Sequence, residues 1–392
     1  MNSRLVRILV VPPLLLSASA VAAQRTTSLT RKTGEATEPF SNLVAVQELP
    51  DGRAVVTDAK ERTLTIVNFE TGEVRQLGRN GNGPNEYTNA QHLFRGHADT
   101  LYLFDFPARR MLRITPTGTL AGTVPIEITV ADTLLGETPK GNRIVAGVRY
   151  RDLAGRVYYE VSYLETTRRG VHPDQYLARF DPATKTSMIV APLRAWYPEE
   201  SSRWRAPFLY QDVWAIAPDG RVARVVPKDY HVEWYRDGAL IARGPTISVP
   251  PVRVSDEDRR AWYAARAQQG SASGSLAGPP APPGSEQRER ASPRRPPGFT
   301  DADFPSVKPP FVEAYVGRAA IIDPEGKGEL WVTRAGAWNA KASTIDIFDA
   351  AGQLVRRVTI PATHRVAGFG RAAVYLVRTD EDGLQWLERY AR

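Results

Sequence analysis

The 392-residue chain carries five histidines, His92, His97, His172, His231 and His364, as its best candidates for metal or proton chemistry. None is spaced for that work within one segment. No HxH, HxxxH or HExxH pattern occurs and there is no cysteine, so a zinc site would have to assemble from distant parts of the chain. A serine nucleophile fares no better, because the G-x-S-x-G elbow is missing. Two acidic runs, PEESS (198–202) and TDEDG (379–383), could pair carboxylates, but runs of this kind on loops usually remain solvated. The aromatic residues are more suggestive. "AWYPEESSRWRAPFLYQDVW" (195–214) gathers Trp196, Tyr197, Trp204, Tyr210 and Trp214, and "RAGAWNAK" (334–341) sets Arg334 beside Trp338. Aromatic rings next to arginines suit a flat polar ligand such as a sugar or peptide, held by stacking and cation–π contact. Tryptophan is equally at home in ordinary packing. The candidate ligand-binding residues are therefore His92, Trp204, Trp214, Arg334 and Trp338. No catalytic residue, metal ligand or cofactor is assigned.

Such residues need a scaffold, and the chain shows one by repetition. "DGRAVVTDAKERTLTIVNFETGEVRQLG" (51–78), "ADTLYLFDFPARRMLRITPTGTLAGTV" (98–124) and "PDGRVARVVPKDYHVEWYRDGALIARG" (218–244) share one order. Each has a tight turn, an alternating apolar strand, a polar bend, a second strand, a glycine turn and a third strand. The order recurs at 326–360 and, cut short, at 370–392; a divergent copy covers about 132–192. An apolar strand precedes each turn. Period-two strands at this spacing predict antiparallel four-stranded sheets, and six of them predict an all-β, six-bladed β-propeller. A β-sandwich would not need six copies. The last unit lacks a strand, which "TTSLTRK" (26–32) is expected to supply, closing the ring.

In this topology the loops between second and third strands, and the crossings between blades, share one face, here the top. Two long excursions are expected there, at 149–175 within blade three and at 249–310 between blades four and five. The second opens with "SDEDRRAWYAARAQQ", where Ser255 and Asp258 make a capping box for a short helix. Residues 270–298 are too poor in apolar side chains to fold and are expected to be disordered. His92 falls on an inner strand facing the channel. The glycine-rich stretch "GRNGNGPNEY" (78–87) is a crossing between blades one and two: a phosphate loop would end in Lys-Ser/Thr and open a helix. Asp58 and Asp105, at matching repeat positions, are expected to cap the next bend.

The first 23 residues read as a secretory signal, with Arg4 and Arg7 ahead of an apolar run ending in small residues and cleavage after Ala23. Without a cysteine there is no lipoprotein anchor and no disulfide. The mature domain, 24–392, is expected to be periplasmic or secreted, to lack a membrane span and to be a monomer. The net charge of +8 comes from scattered basic residues, whereas a nucleic-acid partner would call for a basic stripe; none is expected.

"GRNGNGPNEYTNA", followed by "LYLFDFPARRMLRITPTG" (101–118), resembles the crossing and repeat of NHL-type propellers. The whole mature chain is similar to the secreted bacterial six-bladed propellers of the NHL-like and TolB-like kind, including the ending "VAGFGRAAVYLVRTDEDGLQWLERY" (366–390). The resemblance implies a fold and a repeat number and no reaction. Its first two repeats keep the motif best. The function expected is non-catalytic binding of a glycan, peptide or envelope protein through the top face. A propeller hydrolase or lyase with a channel metal, and an envelope scaffold protein, stay open beside it.

Overall fold

A computed structural model describes residues 26–126, 143–165, 170–201, 206–272, 300–311, 319–325 and 327–392. The expected signal segment, and nearly all of the 270–298 stretch, lie outside these residues. Six antiparallel blades form a ring, a six-bladed β-propeller, with one α-helix among the described residues. The inner strands of the six blades are Leu43–Glu48, His92–Arg95, Arg143–Arg151, Val213–Ile216, Ala320–Ile322 and His364–Phe369.

Apolar alternation along the middle strands builds the core between blades. Val55, Leu64 and Ile66 of blade one pack on Leu93, Leu103 and Leu112 of blade two. Ile345, Ile347 and Val358 of blade five pack in the same way on Val366, Val374 and Leu376 of blade six. The middle strands thus bury both faces, because each blade is sandwiched by two others, while outer strands such as Ala239–Arg243 are largely exposed.

The ring closes through the N-terminus, one step away from the expected place. Lys32–Glu35, rather than 26–32, runs antiparallel to Gln385–Ala391 and completes blade six. Thr26–Ser28 instead pairs parallel to Leu354–Pro361, the outer strand of blade five. Charge explains the register. It sets Lys32 Nζ 3.3 Å from Glu388 and Glu35 2.8 Å from Arg378 Nη2. Burial raises the Glu388 carboxyl, but hydrogen bonds from Tyr390, His364 and Arg378 outweigh it and hold the group below its ordinary value. Glu35 is likewise raised by burial and lowered further by Lys32 and Arg378. Carboxylates depressed in the folded state stabilise it fully above the unfolded value near 4.5, and that stabilisation is lost as pH falls through the folded pKa. Melting temperature is therefore expected to drop below about pH 4.5, with a shallower acid slope in Glu388→Gln, read by calorimetry across pH 3–6.

Blade three corrects a second expectation. The described residues of 149–175 are no excursion; apart from the turn at 152–156 they belong to the blade's own first three strands, Arg143–Arg151, Val157–Glu165 and Gly170–Asp181. "DLAGR" (152–156) is the turn that "PDGR" makes elsewhere. Gly155 N donates to Asp152 O at 3.0 Å, as Gly52 N does to Leu49 O.

The 78–87 stretch is a corner, as its composition predicts. Gly78 has φ +70°, and a Cβ there would stand 2.7 Å from Asn85 O. Glu86 Oε2 accepts from Gly83 N at 2.8 Å. Gly83 itself does not adopt positive φ; among these glycines only Gly78 and Gly81 do. Asp58 accepts from the N–H groups of Ser41, Asn42, Lys60 and Glu61, and Asp105 from Thr88 and Arg110. Asp58 thus caps the bend that follows it, as expected, whereas Asp105 ties the preceding crossing to Arg110.

Candidate top-face site

The two ends of the channel differ. At the lower end Arg95, the last residue of blade two's inner strand, donates to Glu48 O at 2.6 Å and to Asp99 at 2.9 Å. Its Nη2 also lies 3.6 Å from Glu325 of blade five, which stands across the ring. Arg371 of blade six pairs with Asp99 at 3.3 Å, and Arg392 with Asp323. These ion pairs cross the lower opening. Glu48 is buried beneath them, bonded to Tyr375 Oη and to Arg371 N.

The upper end carries the excursion between blades four and five. Its helix, Asp256–Ala272, starts on the expected box: Asp258 N donates to Ser255 Oγ at 3.2 Å and Ser255 N to Asp258 Oδ2 at 2.9 Å. It runs three residues into the stretch expected to be disordered. The other oxygen of Asp258 takes Lys308 Nζ at 2.7 Å, both side chains being buried, and Lys308 Nζ also donates to Gly336 O at 2.8 Å. Trp262 and Tyr263 meet Phe304 edge-on at 5.5 and 5.6 Å. Two extended arms join this helix to the ring, Lys308 N donating to Val252 O and Val254 N to Ser306 O. Ala335 N donates to Pro310 O at 2.8 Å, so the returning arm is fixed to the top loop of blade five.

Between the arms and that loop lies a cleft of about 170 Å³, bordered by Tyr210, Lys228, Lys308 and Arg334 and walled by prolines and valines. Arg334 is largely buried. Its Nε has no hydrogen-bond acceptor and stands 3.9 Å from Asp346 Oδ2. Asp346 is already engaged, accepting from Tyr230 Oη at 2.8 Å and Arg357 Nε at 3.0 Å. Burial first, and then Asp346, raise the Tyr230 hydroxyl well above its usual range, so it remains a donor. Lys228 reaches outward to Glu199 at 3.2 Å.

The expected site residues fall in different surroundings. Arg334 and Trp338 share the loop between Leu330–Thr333 and Ala342–Phe348 of blade five. Trp338 is 56% exposed, the most exposed of the large apolar side chains among the described residues. Trp214, in blade four's inner strand, is 8% exposed and packs with Leu177, Val190 and Tyr235 between blades three and four. Its indole N–H donates to Glu160 at 2.9 Å. His92 opens blade two's inner strand, half-buried, with its ring stacked 6.3 Å from Phe94. Trp204 lies outside the described residues. Sequence reasoning missed Lys228 and Lys308. The paired prolines in "VPPV" (249–252) and "KPPF" (308–311) were the available signal, two rigid arms of similar composition flanking one excursion.

Three other histidines have local partners: His231 lies 3.3 Å from Glu233, His364 2.9 Å from Glu388, and His172 Nδ1 accepts from Asp174 N at 3.1 Å. Among the described residues no group of three or more His, Asp or Glu is placed to hold a metal ion. The acidic runs serve loops, Glu199 pairing with Lys228 and Asp380 accepting from Asp382 N, Leu384 N and Trp386 Nε1.

No protein-family model matches the chain, and no curated protein does. Solved structures of similar fold include a protein described as exported from Bacteroides fragilis, 9% identical, with a TM-score of 0.42 over 93% of this chain and 94% of its own. The PQQ-bound aldose sugar dehydrogenase of Streptomyces coelicolor is 13% identical, with a TM-score of 0.43 over 93% and 98%. Virginiamycin B lyase from Staphylococcus aureus is 10% identical, with a TM-score of 0.38 over 91% and 97%. Likeness at this level concerns the fold alone.

Proposed function

We propose that this chain is an exported, non-catalytic propeller of the NHL-like kind that binds a ligand or protein partner through its top face, as a monomer. The observation that carries the reading is the cleft at Arg334. It lies where the excursion between blades four and five doubles back on the top loop of blade five, and a buried ion pair holds that arrangement. Loops on a rigid scaffold are where binding sites are usually built. The crossed ion pairs at the lower end favour approach from above. Export rests on the basic, apolar and small-residue pattern of residues 1–23; intact mass from the native host should show the chain starting at Gln24. Among the described residues no helix is long and apolar enough to cross a membrane. The basic side chains mostly sit beside acids, as Arg356 does with Glu329 at 2.6 Å, and a nucleic-acid partner is not part of the proposal.

The test is a thermal-shift screen against glycans and peptides, repeated with Trp338→Ala. An exposed side chain contributes little to folding, so the variant should melt within about 0.5 kcal/mol of the parent. Ligands found with the parent should bind it more weakly. Ligands that bind Trp338→Ala as tightly as the parent would take Trp338 out of the site.

A further inference from the structure

Resting on that binding reading, we propose that the cleft receives a carboxylate on a short aliphatic stem, with Arg334 as its anchor. Among the described residues the charges bordering the cleft are all positive, Arg334, Lys228 and Lys308, with no acid in the lining. They are not equivalent. Lys308 is neutralised by Asp258 at 2.7 Å, and Lys228 pairs with Glu199 out in solvent. Arg334 has only Asp346, at 3.9 Å, and that acid is already satisfied by Tyr230 and Arg357. A largely buried guanidinium whose Nε has no acceptor carries a desolvation cost that an incoming anion would relieve.

The walls decide which anion. Five of the lining residues, Pro227, Pro250, Pro251, Pro309 and Pro310, are prolines, and three more are valines. Proline has no N–H, so these walls offer no array of backbone donors of the sort that cradles a phosphate dianion or a ring of sugar hydroxyls. What they offer is rigid apolar surface. The donors available are the Arg334 fork and the Lys228 ammonium, with Tyr210 able to help by its hydroxyl. A planar monoanion that accepts in pairs, carried on hydrocarbon, matches that set. The volume agrees: about 170 Å³ is roughly the share of five or six waters at about 30 Å³ each, enough for a carboxylate and two or three carbons. The glutamate side chain of a peptide presents this group; a uronic acid presents the same carboxylate on a hydroxylated ring instead.

Titration calorimetry on the full chain separates the sources. The probes are the α-methylamide of N-acetylglutamate and galacturonate, their neutral counterparts, the α-methylamide of N-acetylglutamine and galactose, and inorganic phosphate. The glutamate probe should bind about tenfold or more tighter than its neutral counterpart, and added salt should weaken it. That preference bears out the aliphatic stem and points to a peptide; preference for galacturonate would overturn the stem. Arg334→Gln should abolish the acid-over-neutral preference and Arg334→Lys should restore part of it, with melting temperature recorded for both. Equal binding of acid and neutral forms, preference for phosphate, no carboxylate binding at all, or an unchanged preference in Arg334→Gln would each overturn the proposal. A neutral glycan or peptide that binds and is lost in Trp338→Ala would leave the binding reading standing while this inference falls.

Discussion

Deleting residues 24–36 is expected to lower the stability of the whole ring. The segment supplies the fourth strand of blade six, paired through Lys32↔Tyr390, Gly34↔Arg389 and Glu35↔Glu388. The Ala36 N bond to Leu387 O is lost with it, as are the pairs Lys32–Glu388 and Glu35–Arg378. At about 1 kcal/mol per hydrogen bond, the ladder and its flanking bond amount to roughly 4 kcal/mol. Buried Glu388 keeps His364 and Arg378 but loses its lysine. The deletion also exposes Gln385–Ala391 as an unpaired edge, which favours association between chains. For a domain of this size such a loss lowers the melting temperature by about 5 °C. Calorimetry together with light scattering reads both effects. A shorter deletion ending at Thr30 would remove only Thr26–Ser28 from the outside of blade five and should cost far less. If the two deletions melt alike, closure by Lys32–Glu35 is wrong.

Lys308→Met is expected to release the helix from the top face. The substitution leaves Asp258 buried without its ammonium, and breaking a buried pair by removing one partner costs about 3–5 kcal/mol. Gly336 O loses its donor at the same time. The blades do not depend on this contact, so the loss should fall on the excursion as local opening rather than on the ring. Hydrogen exchange should speed up at 252–264 and 304–310 while the blade strands stay protected. Lys308→Met combined with Asp258→Leu removes both charges and should recover much of the loss. Unchanged exchange in the single variant would mean that the ion pair does not hold the helix.

The fold was legible because each blade repeats its punctuation. Turns built on PDG recur between first and second strands, and those built on ETG, PTG and RDG between third and fourth, and a chain that repeats this phasing has few ways to bury all its faces. Blade three hid in part because its strands are longer, so that "DLAGR" arrived at an unfamiliar spacing and the hairpin around it read as an addition. The expected closing strand, 26–32, overlaps the observed one only at Lys32, because "TTSLTRK" and "KTGE" both have strand-like composition. The choice between them rests on Glu388 and Arg378, more than 300 residues further on. The site was legible only where its residues share a loop. Arg334 and Trp338 are four residues apart, whereas Lys308 and Lys228 join Arg334 by tertiary packing that no local pattern announces. The same packing puts Trp214 between two blades, although its composition fits a ligand platform equally well.

The most direct test of top-face binding is hydrogen exchange on the protein saturated with the tightest small ligand from the screen. Binding should protect 249–254, 306–310 and 334–341, the arms and loop that border the cleft, and leave the lower turns at 48–54 and 95–101 unchanged. Protection confined to those lower turns, or to the outer strands of the blades, would contradict the account.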